Sequence, residues 1–204
     1  SRELPKLLSR EKMIDILLEK EYGLKVTVIR ANKTMWDDFH TLRIKGVGEG
    51  LLRGFPIPGL CCINRDLKTR PMQRYIKSLG QDVVQYVGIA ADEEKRLARL
   101  DGKTHISLLA KYGITEEMAM QICKDHGLLS PIYEFTTRNG CFFCPNSNMS
   151  ELRHLYDHHP DLWAMLRELQ DTPRKYRRNF TREYTINDIE AMFELEDAQT
   201  MFDI

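Results

Sequence analysis

Apolar residues recur at helical spacing along six stretches of this chain. The first stretch ends at Tyr22-Gly23, and glycine is the usual residue just past a helix. Two later stretches begin at threonines suited to an N-cap, Thr115 and Thr185. The pattern therefore predicts six helices, the fifth of them broken at Pro160, over residues 4–22, 34–44, 64–78, 116–126, 148–170 and 185–198.

Two shorter segments, residues 25–30 and 83–89, carry the β-branched and apolar side chains typical of strands. The second is apolar enough to be central in a parallel sheet. Because helix, short loop and strand alternate, we predict an α/β fold, a parallel twisted sheet flanked by helices with a helical C-terminal part. We predict two domains, residues 1–145 with the sheet and both cysteine pairs, and residues 146–204 as a helical extension.

Charge is balanced over the 204 residues, with 30 Lys plus Arg and 30 Asp plus Glu, so no global charge favours nucleic acid or an anionic membrane. The basic run over residues 174–178 is a local exception. Such runs are usually solvated surface, and a phosphate or nucleic-acid contact is the alternative. No stretch resembles a membrane span and no signal-peptide pattern opens the chain, so we expect a cytoplasmic protein that does not bind membranes.

Four of the five cysteines stand in two tight pairs on Gly/Pro-rich turns, Cys61-Cys62 and Cys141-Phe142-Phe143-Cys144. Two such pairs brought together form a four-thiolate site for a tetrahedral zinc ion or an iron–sulfur cluster, and the spacing does not separate these two. Buried free thiols and redox pairs are the alternatives. Disulfides are disfavoured because nothing else in the chain indicates secretion. Cys123 lies in an amphipathic helical stretch and is assigned to core packing.

A cluster of cations opens the predicted helix over residues 64–78. Arg65, Lys68 and Arg70 stand in its first turns, where free backbone N–H groups already favour anions. The cluster predicts anion recognition, with solvated surface charge as the alternative. The glycine-rich residues 46–50 lack the Lys-Ser/Thr ending of a phosphate loop and are predicted to form a mobile loop.

Asp92, Glu93 and Arg96 follow the predicted strand over residues 83–89. In open α/β sheets, ligands bind outside the carboxyl ends of the strands, which is where these side chains stand. Acidic residues that complement the dipole of a following helix are the alternative.

Taken together, these segments resemble the phosphoadenosine phosphosulfate reductase family of the adenine-nucleotide α-hydrolase superfamily, whose members share a PP-loop ATP pyrophosphatase fold. The resemblance covers roughly residues 24–165. It rests on motifs that fall in the family's order: Cys61-Cys62 followed by Lys68 and Pro71, Gly88-Ile89-Ala90-Ala91-Asp92-Glu93-Glu94-Lys95-Arg96, Leu129-Ser130-Pro131-Ile132-Tyr133 and Gly140-Cys141-Phe142-Phe143-Cys144-Pro145.

The resemblance implies a nucleotide at the carboxyl edge of the sheet, with Asp92, Glu93 and Arg96 beside it and a magnesium ion held by the two carboxylates. It places Lys68 close enough to serve a cluster or a substrate. In cluster-containing members, cysteines in this arrangement hold a 4Fe–4S cluster beside the sulfonucleotide. The implied ligands are Cys61, Cys62, Cys141 and Cys144.

Three departures separate this chain from the family. The Ser-Gly-Gly-Lys-Asp-Ser phosphate loop is missing, so we expect that the N-terminal strand and phosphate loop lie outside this sequence. The arginine of the family's Gly-Ile-Arg-Ala-Asp-Glu motif is Ala90 here. No cysteine follows Cys144, so the C-terminal nucleophile of the thiosulfonate-forming reductases is absent from this sequence.

The predicted function is α-phosphate cleavage, sulfur transfer or reduction on an adenine nucleotide or sulfonucleotide, with a four-cysteine iron–sulfur site and an electron or sulfur donor protein as partner. The alternative is a non-catalytic, zinc-stapled module that binds a nucleotide, a nucleic acid or a protein. The basic run over residues 174–178 is the best support for that alternative.

Overall fold

The computed structural model describes residues 5–134, 136 and 140–202. About half of the chain is helical and the strands pair in parallel, so the predicted mixed α/β class is confirmed. In chain order the elements are α1 (Pro5–Tyr22), α2 (Met35–Phe39), β1 (Leu52–Gly54), a π-helical turn (Asn64–Thr69), α3 (Arg70–Ser78), β2 (Gln85–Tyr86), α4 (Glu94–Leu97), β3 (His105–Ile106), α5 (Leu108–Lys111), α6 (Glu116–Asp125), a 3₁₀ turn (Pro131–Glu134), α7 (Met149–His158), α8 (Pro160–Asp171), β4 (Lys175–Arg177) and α9 (Ile186–Phe202).

These elements belong to two compact units. Unit 1 contains Ser1–Ser9, Thr27–Met72 and Ile132–Ile204, and unit 2 contains Arg10–Val26 and Gln73–Pro131. The units do not follow the predicted boundary after residue 145. Unit 1 joins both sides of that boundary because the C-terminal helices share one hydrophobic core with the segment that carries the first cysteine pair.

The core of unit 1 is built from aromatic and branched side chains of both of its longer segments. Leu166, Phe180 and Ile186 are fully buried. Phe55 packs edge to face against Phe39 on one side and Phe180 on the other, with ring centroids 5.2 Å apart in each pair. Full burial of one such side chain is worth roughly 1.5–3 kcal/mol. The core therefore fixes α2, β1 and the C-terminal segment against one another.

Residues 41–53 form a hairpin. The predicted helix over residues 34–44 is wrong beyond Phe39, where α2 ends. The backbone N–H of Arg43 donates to the Leu51 carbonyl at 2.9 Å. Glycines 46, 48 and 50 have φ between +76° and +80°, which bends the chain back on itself at little steric cost. The turn brings residues 51–53 antiparallel to residues 41–43, and the backbone hydrogen bonds between them replace those of a continued helix.

Strands β1 and β4 pair in parallel, with Leu52 opposite Lys175 and Gly54 opposite Arg177. Gly54 has φ +78°, and a Cβ there would lie 2.8 Å from the Arg177 carbonyl oxygen. Only glycine permits so close an approach of the two backbones. The pairing sets Arg53 of β1 in register with the basic run of β4.

Unit 2 carries a second parallel pair, with Gln85 opposite His105 and Tyr86 opposite Ile106. The strand predicted over residues 83–89 is confirmed for Gln85–Tyr86, which pair in parallel as expected, but its central position in a sheet is wrong. Its one partner among the described residues is β3. Tyr86 is 66% exposed, so its face of this strand pair is open to solvent.

The predicted strand over residues 25–30 is also wrong. Its backbone has no strand partner among the described residues, and Val26, Val28 and Ile29 are exposed. β-branched side chains favour strands chiefly by packing against a neighbouring strand, so the composition alone does not produce one.

The remaining helix predictions are confirmed. Thr115 caps α6 with its side chain. Pro160 separates α7 from α8 as predicted, because its ring suits the first turn of a new helix. Thr185 precedes α9, and its Oγ1 accepts the Asp188 N–H at 3.1 Å. Helix α9 continues past the predicted end, to Phe202.

Candidate anion-binding site

Unit 1 contains a cavity of about 160 Å³ in which four arginines meet one cysteine. We call this cavity the arginine pocket. The residues that line it are Arg43, Arg53, Phe55, Ile57, Leu60, Cys62, Arg65, Tyr176 and Arg177. Guanidinium groups present several N–H donors in a planar fork that matches phosphate and sulfate oxygens, so a pocket with four of them suits a tetrahedral oxyanion.

Two buried carboxylates hold the cations on one side of the pocket. Asp38 is 1% exposed, and its Oδ1 lies 2.5 Å from Arg53 Nη1 and 2.7 Å from Lys33 Nζ. Asp66 Oδ1 lies 2.8 Å from Arg65 Nε and 2.9 Å from Arg70 Nη1. Four cations around two carboxylates leave two positive charges. The carboxylates therefore fix the cations without neutralising them.

The pKa values of both carboxylates are lowered by these contacts. Burial by itself raises the pKa of Asp38, but hydrogen bonds from Lys33 and Arg53 outweigh it and hold the pKa below its usual value. The hydrogen bond from Arg65 dominates at Asp66 and holds its pKa well below the usual range. Both side chains are therefore ionised at neutral pH.

Local backbone features bring the two carboxylates into place. Thr34 begins α2 with a capping box in which Asp37 bonds back to the Thr34 N–H at 2.7 Å, and Asp38 follows inside the helix. Asp66 lies in the π-helical turn that precedes Pro71. Proline lacks an N–H and crowds the carbonyl four residues earlier, so a wider turn before it accommodates the ring.

Arg43 enters the pocket from the hairpin. Its guanidinium lies 4.1 Å above the centre of the Tyr176 ring, and its Nε donates to the Val47 carbonyl at 3.0 Å. Gly48 makes room for that ring, because a Cβ at this position would lie 2.2 Å from Tyr176 Cδ2. Arg43 has no carboxylate partner in the part of the chain that the structure describes. Its charge is therefore available to a bound anion.

The basic run over residues 174–178 is largely structural. Lys175 Nζ donates to the carbonyls of Gln170 and Thr172 at the end of α8, which is a common way to satisfy the last carbonyls of a helix. Arg177 donates to the carbonyls of Asn179 and Thr181, the latter at 2.6 Å. These bonds count against the run as a nucleic-acid surface, and they hold Arg177 as a wall of the pocket.

Cys62 is the thiol of the arginine pocket. Its Sγ lies 3.4 Å from Asp38 Oδ2 and donates to that carboxylate. Burial, and after it the neighbouring Asp38 charge, raises the pKa of Cys62. At neutral pH this cysteine is therefore a neutral thiol in the described geometry, a hydrogen-bond donor rather than a nucleophile.

Of the predicted anion-binding residues, Arg65 alone lines the pocket. Arg70 lies one turn further along and reaches Asp66 from outside it. Lys68 is exposed and forms no ion pair within the described residues. The predicted cluster is thus divided: Arg65 meets the cavity, Arg70 supports it through Asp66, and Lys68 faces solvent.

Asp92, Glu93 and Arg96 belong to unit 2. Asp92 Oδ1 accepts the N–H of Glu116, the first residue of α6, at 3.0 Å. Glu93 Oε2 accepts the Ala90 N–H at 3.0 Å and its other oxygen pairs with Arg96. The Asp92 and Glu93 carboxylates thus accept hydrogen bonds from backbone N–H groups. This fits the alternative to ligand binding given above, in which acidic residues complement the start of a helix.

All four paired cysteines lie in unit 1, and Cys61, Cys62 and Cys141 pack against its core. The Asn64 N–H lies 3.4 Å from Cys61 Sγ, and the Cys144 N–H closes a turn on the Cys141 carbonyl at 3.0 Å. Within the described residues, however, no three His, Cys, Asp or Glu side chains are grouped to hold a metal ion. The four-cysteine ligand set is of the right chemical type, but this geometry does not gather it. It stays a prediction.

Sequence reasoning did not single out Arg43 and Arg53 of the pocket or Asp38 beside it, and it predicted the basic run that contains Tyr176 and Arg177 chiefly as solvated surface. Arg43 comes from the hairpin, Arg53 from β1, and Tyr176 and Arg177 are neighbours in β4, which the pairing of β1 with β4 brings to Arg53. The basic run was the signal along the chain for Tyr176 and Arg177, with solvated surface as the prediction and a phosphate or nucleic-acid contact as the alternative. No local spacing connects residues so far apart.

Comparisons with protein-family models, with curated proteins and with solved structures gave no match. In the described part of the chain, no helix combines the length and the apolar character that crossing a membrane requires. The chemistry assigned to the arginine pocket is therefore based on the residues that line it.

Proposed function

We propose that this chain acts on an adenine nucleotide or sulfonucleotide, and that the arginine pocket of unit 1 holds the phosphate or sulfate group of that substrate. The observation that carries the proposal is the meeting of Arg43, Arg53, Arg65 and Arg177 in one small cavity. The resemblance to the phosphoadenosine phosphosulfate reductase family supports two further parts of the proposal. These are an adenine nucleotide as the carrier of that group and a PP-loop type of fold.

The pocket is suited to bind a dianion because its cations are already in position. Arg53 is fixed by Asp38, and Arg65 is fixed by a two-point contact to Asp66, at 2.8 and 3.0 Å. Arg43 and Arg177 carry charges that no carboxylate of the described residues balances. Ordering long side chains on binding costs about 0.5–1.5 kcal/mol each. Side chains ordered beforehand avoid that cost, so more of the electrostatic attraction appears as affinity.

The same cations favour chemistry at the bound group. Cleavage at an α-phosphate places negative charge on the phosphoryl or sulfuryl oxygens, and fixed guanidinium groups around those oxygens stabilise that charge. These are binding and charge-stabilising roles.

The cluster, the magnesium ion and the donor protein enter this proposal through the resemblance alone. Cys61, Cys62, Cys141 and Cys144 are the ligands it names for a 4Fe–4S cluster, with zinc as the alternative. Iron and acid-labile sulfide analysis of anaerobically purified protein tests this part separately. About four iron and four sulfide per chain would support the cluster. One zinc without sulfide would indicate that the cysteines bind a structural metal ion instead.

The pocket is tested by titrating adenylyl sulfate, ATP and inorganic sulfate into the protein in a calorimeter at about 0.15 M ionic strength, where exposed charges are screened beyond about 8 Å. Arg43→Gln removes one pocket charge without leaving a carboxylate unpaired. We expect it to weaken adenylyl sulfate binding by about 10-fold or more, the usual size of a charge-assisted hydrogen bond. Arg43→Lys keeps the charge and should recover part of the affinity.

Arg178→Gln is the matched control, because it removes the same charge from an exposed residue of the basic run outside the pocket. It should change the affinity by less than about two-fold, as expected of a screened surface charge. Equal losses in Arg43→Gln and Arg178→Gln would show that net charge, and not the pocket, attracts the ligand. Wild-type protein that binds none of the three ligands at millimolar concentration would overturn the proposal.

A further inference from the structure

The mouth of the arginine pocket is apolar. Ile57 and Leu60 line the cavity, yet they are 45% and 75% exposed. Single exposed apolar residues are ordinary on protein surfaces. Two of them lining the same cavity as four arginines are more informative, because each raises the energy of the empty site by facing water.

A rigid turn holds these two side chains in place. The Leu60 N–H donates to the Ile57 carbonyl at 3.0 Å across Pro58-Gly59, and Gly59 has φ +82°. Proline followed by a glycine with positive φ is the arrangement of a type II turn. Since proline has few backbone conformations to lose, the turn presents Ile57 and Leu60 in fixed positions.

The Tyr176 ring forms another wall of the same cavity. Arg43 lies above its face, and Gly48 lies against its edge at a distance that excludes any larger residue. The ring is nevertheless 38% exposed as a residue. Two apolar side chains and one fixed aromatic ring therefore surround an opening whose interior is cationic.

We infer that this mouth, formed by Ile57, Leu60 and Tyr176, is a subsite for the flat ring of an oxyanion ester, the nucleobase in the proposed function on which this inference rests. The cavity of about 160 Å³ is smaller than the roughly 300–1,000 Å³ that encloses a whole drug-sized ligand. It holds the oxyanion, and the ring of the same molecule lies on the apolar mouth. The site thus selects phosphorylated or sulfated ring compounds over inorganic anions.

Three probes separate the parts of such a ligand: inorganic phosphate, ribose 5-phosphate and AMP. We expect AMP to bind more tightly than ribose 5-phosphate, and ribose 5-phosphate to bind about as well as phosphate. Leu60→Ser removes apolar surface from the mouth at an exposed position, so the fold is preserved. It should weaken AMP binding about five-fold, the effect of losing part of one leucine's burial, and leave phosphate binding unchanged.

Leu195→Ser is the matched control, since Leu195 is 60% exposed on α9 and does not line the pocket. It should bind all three probes as the wild type does. If Leu60→Ser leaves AMP binding unchanged, or weakens AMP and phosphate equally, the ring subsite is wrong. Arg43→Gln distinguishes that failure from a failure of the proposed function, because it should weaken binding of all three probes whether or not the mouth binds a ring.

Discussion

In unit 1, Asp38 of α2 pairs with a cation from the loop before it and with another from β1. In unit 2, the ion pair of Glu93 with Arg96 and the hydrogen bonds of Asp101 to the backbone of residues 103–105 close within four residues of sequence. The two units differ in the same way in their cores. The core of unit 1 fills with aromatic rings from segments far apart in the chain, while the buried side chains of unit 2 include Ile89 and Ser107.

The difference shows what a preorganised charge cluster requires. Cations from separate elements repel one another, and they stay together only where packing fixes the elements and buried carboxylates lie between them. Unit 1 meets both conditions. In unit 2, the charged side chains lie at turns and helix starts, where the local backbone already orders them. This arrangement needs no large core, but it brings few charges together at one point.

Removing the Asp38 carboxylate should break this comparison most strongly. In Asp38→Ala, Lys33 and Arg53 each lose a charge-assisted hydrogen bond and keep only the more distant Asp66 Oδ2, 3.6 Å from each. We therefore expect the free energy of unfolding to fall by about 3–5 kcal/mol, the sum of two such bonds. Guanidinium or urea titration measures it, followed by tryptophan fluorescence for unit 1, where Trp36 and Trp163 both lie, and by circular dichroism for the helices of both units. Glu93→Ala, which removes a local ion pair from unit 2, should have a much smaller effect. Similar losses in both variants would mean that the Asp38 network gains nothing from its burial.

Gly48 and Gly46 provide a second, smaller test within the hairpin of unit 1. Both have φ near +80°, so alanine at either position introduces similar backbone strain, about 1 kcal/mol. The new Cβ of Gly46→Ala meets no atom within 4 Å, but that of Gly48→Ala lies 2.2 Å from Tyr176 Cδ2. Gly48→Ala should therefore lose about 1–3 kcal/mol more, since crowding a packed ring has that cost.

The ligand affinity of these two variants sharpens the result. Gly48→Ala should also weaken AMP binding, because a displaced Tyr176 no longer supports Arg43. Gly46→Ala should bind AMP as the wild type does. Equal stability losses in the two variants would show that the Tyr176 ring moves aside freely and does not form a fixed wall.

Sequence predicted well what is decided within a few residues. The caps at Thr115 and Thr185 and the break at Pro160 follow from side-chain chemistry next to the backbone that it affects. Sequence-based predictions were wrong where the local structure depends on a partner that is distant along the chain. Residues 25–30 have the side chains of a strand without the neighbour, and residues 40–44 leave the helix because a glycine turn returns β1 to them.

The candidate site follows the same rule. Arg65 was predicted, because a cation near a helix start is a local signal. Arg53 was not predicted, and Arg177 was named only within a basic run whose alternative was a phosphate or nucleic-acid contact, since only the register between β1 and β4 makes the two neighbours. Asp38 carries no mark in the sequence that separates it from Asp37, yet one is 1% exposed and the other caps the helix at the surface.

The smallest expected loss of stability comes from removing a helix N-cap, which is a local interaction in both units. Thr34 accepts the Asp37 N–H at 3.3 Å at the start of α2, and Thr115 accepts the Met118 N–H at 3.2 Å at the start of α6. Replacing a capping threonine with alanine typically costs about 1 kcal/mol. If capping is independent of the core, Thr34→Ala and Thr115→Ala should each lose about that amount in chemical denaturation.

A loss well above 2 kcal/mol in Thr34→Ala alone would change this comparison. It would mean that the start of α2 also holds Asp38 against Lys33 and Arg53, so that a surface cap contributes to the buried network. The Thr34→Ala, Asp38→Ala double variant measures that coupling directly. Additive losses place the cap outside the network, and a double variant no less stable than Asp38→Ala places it inside.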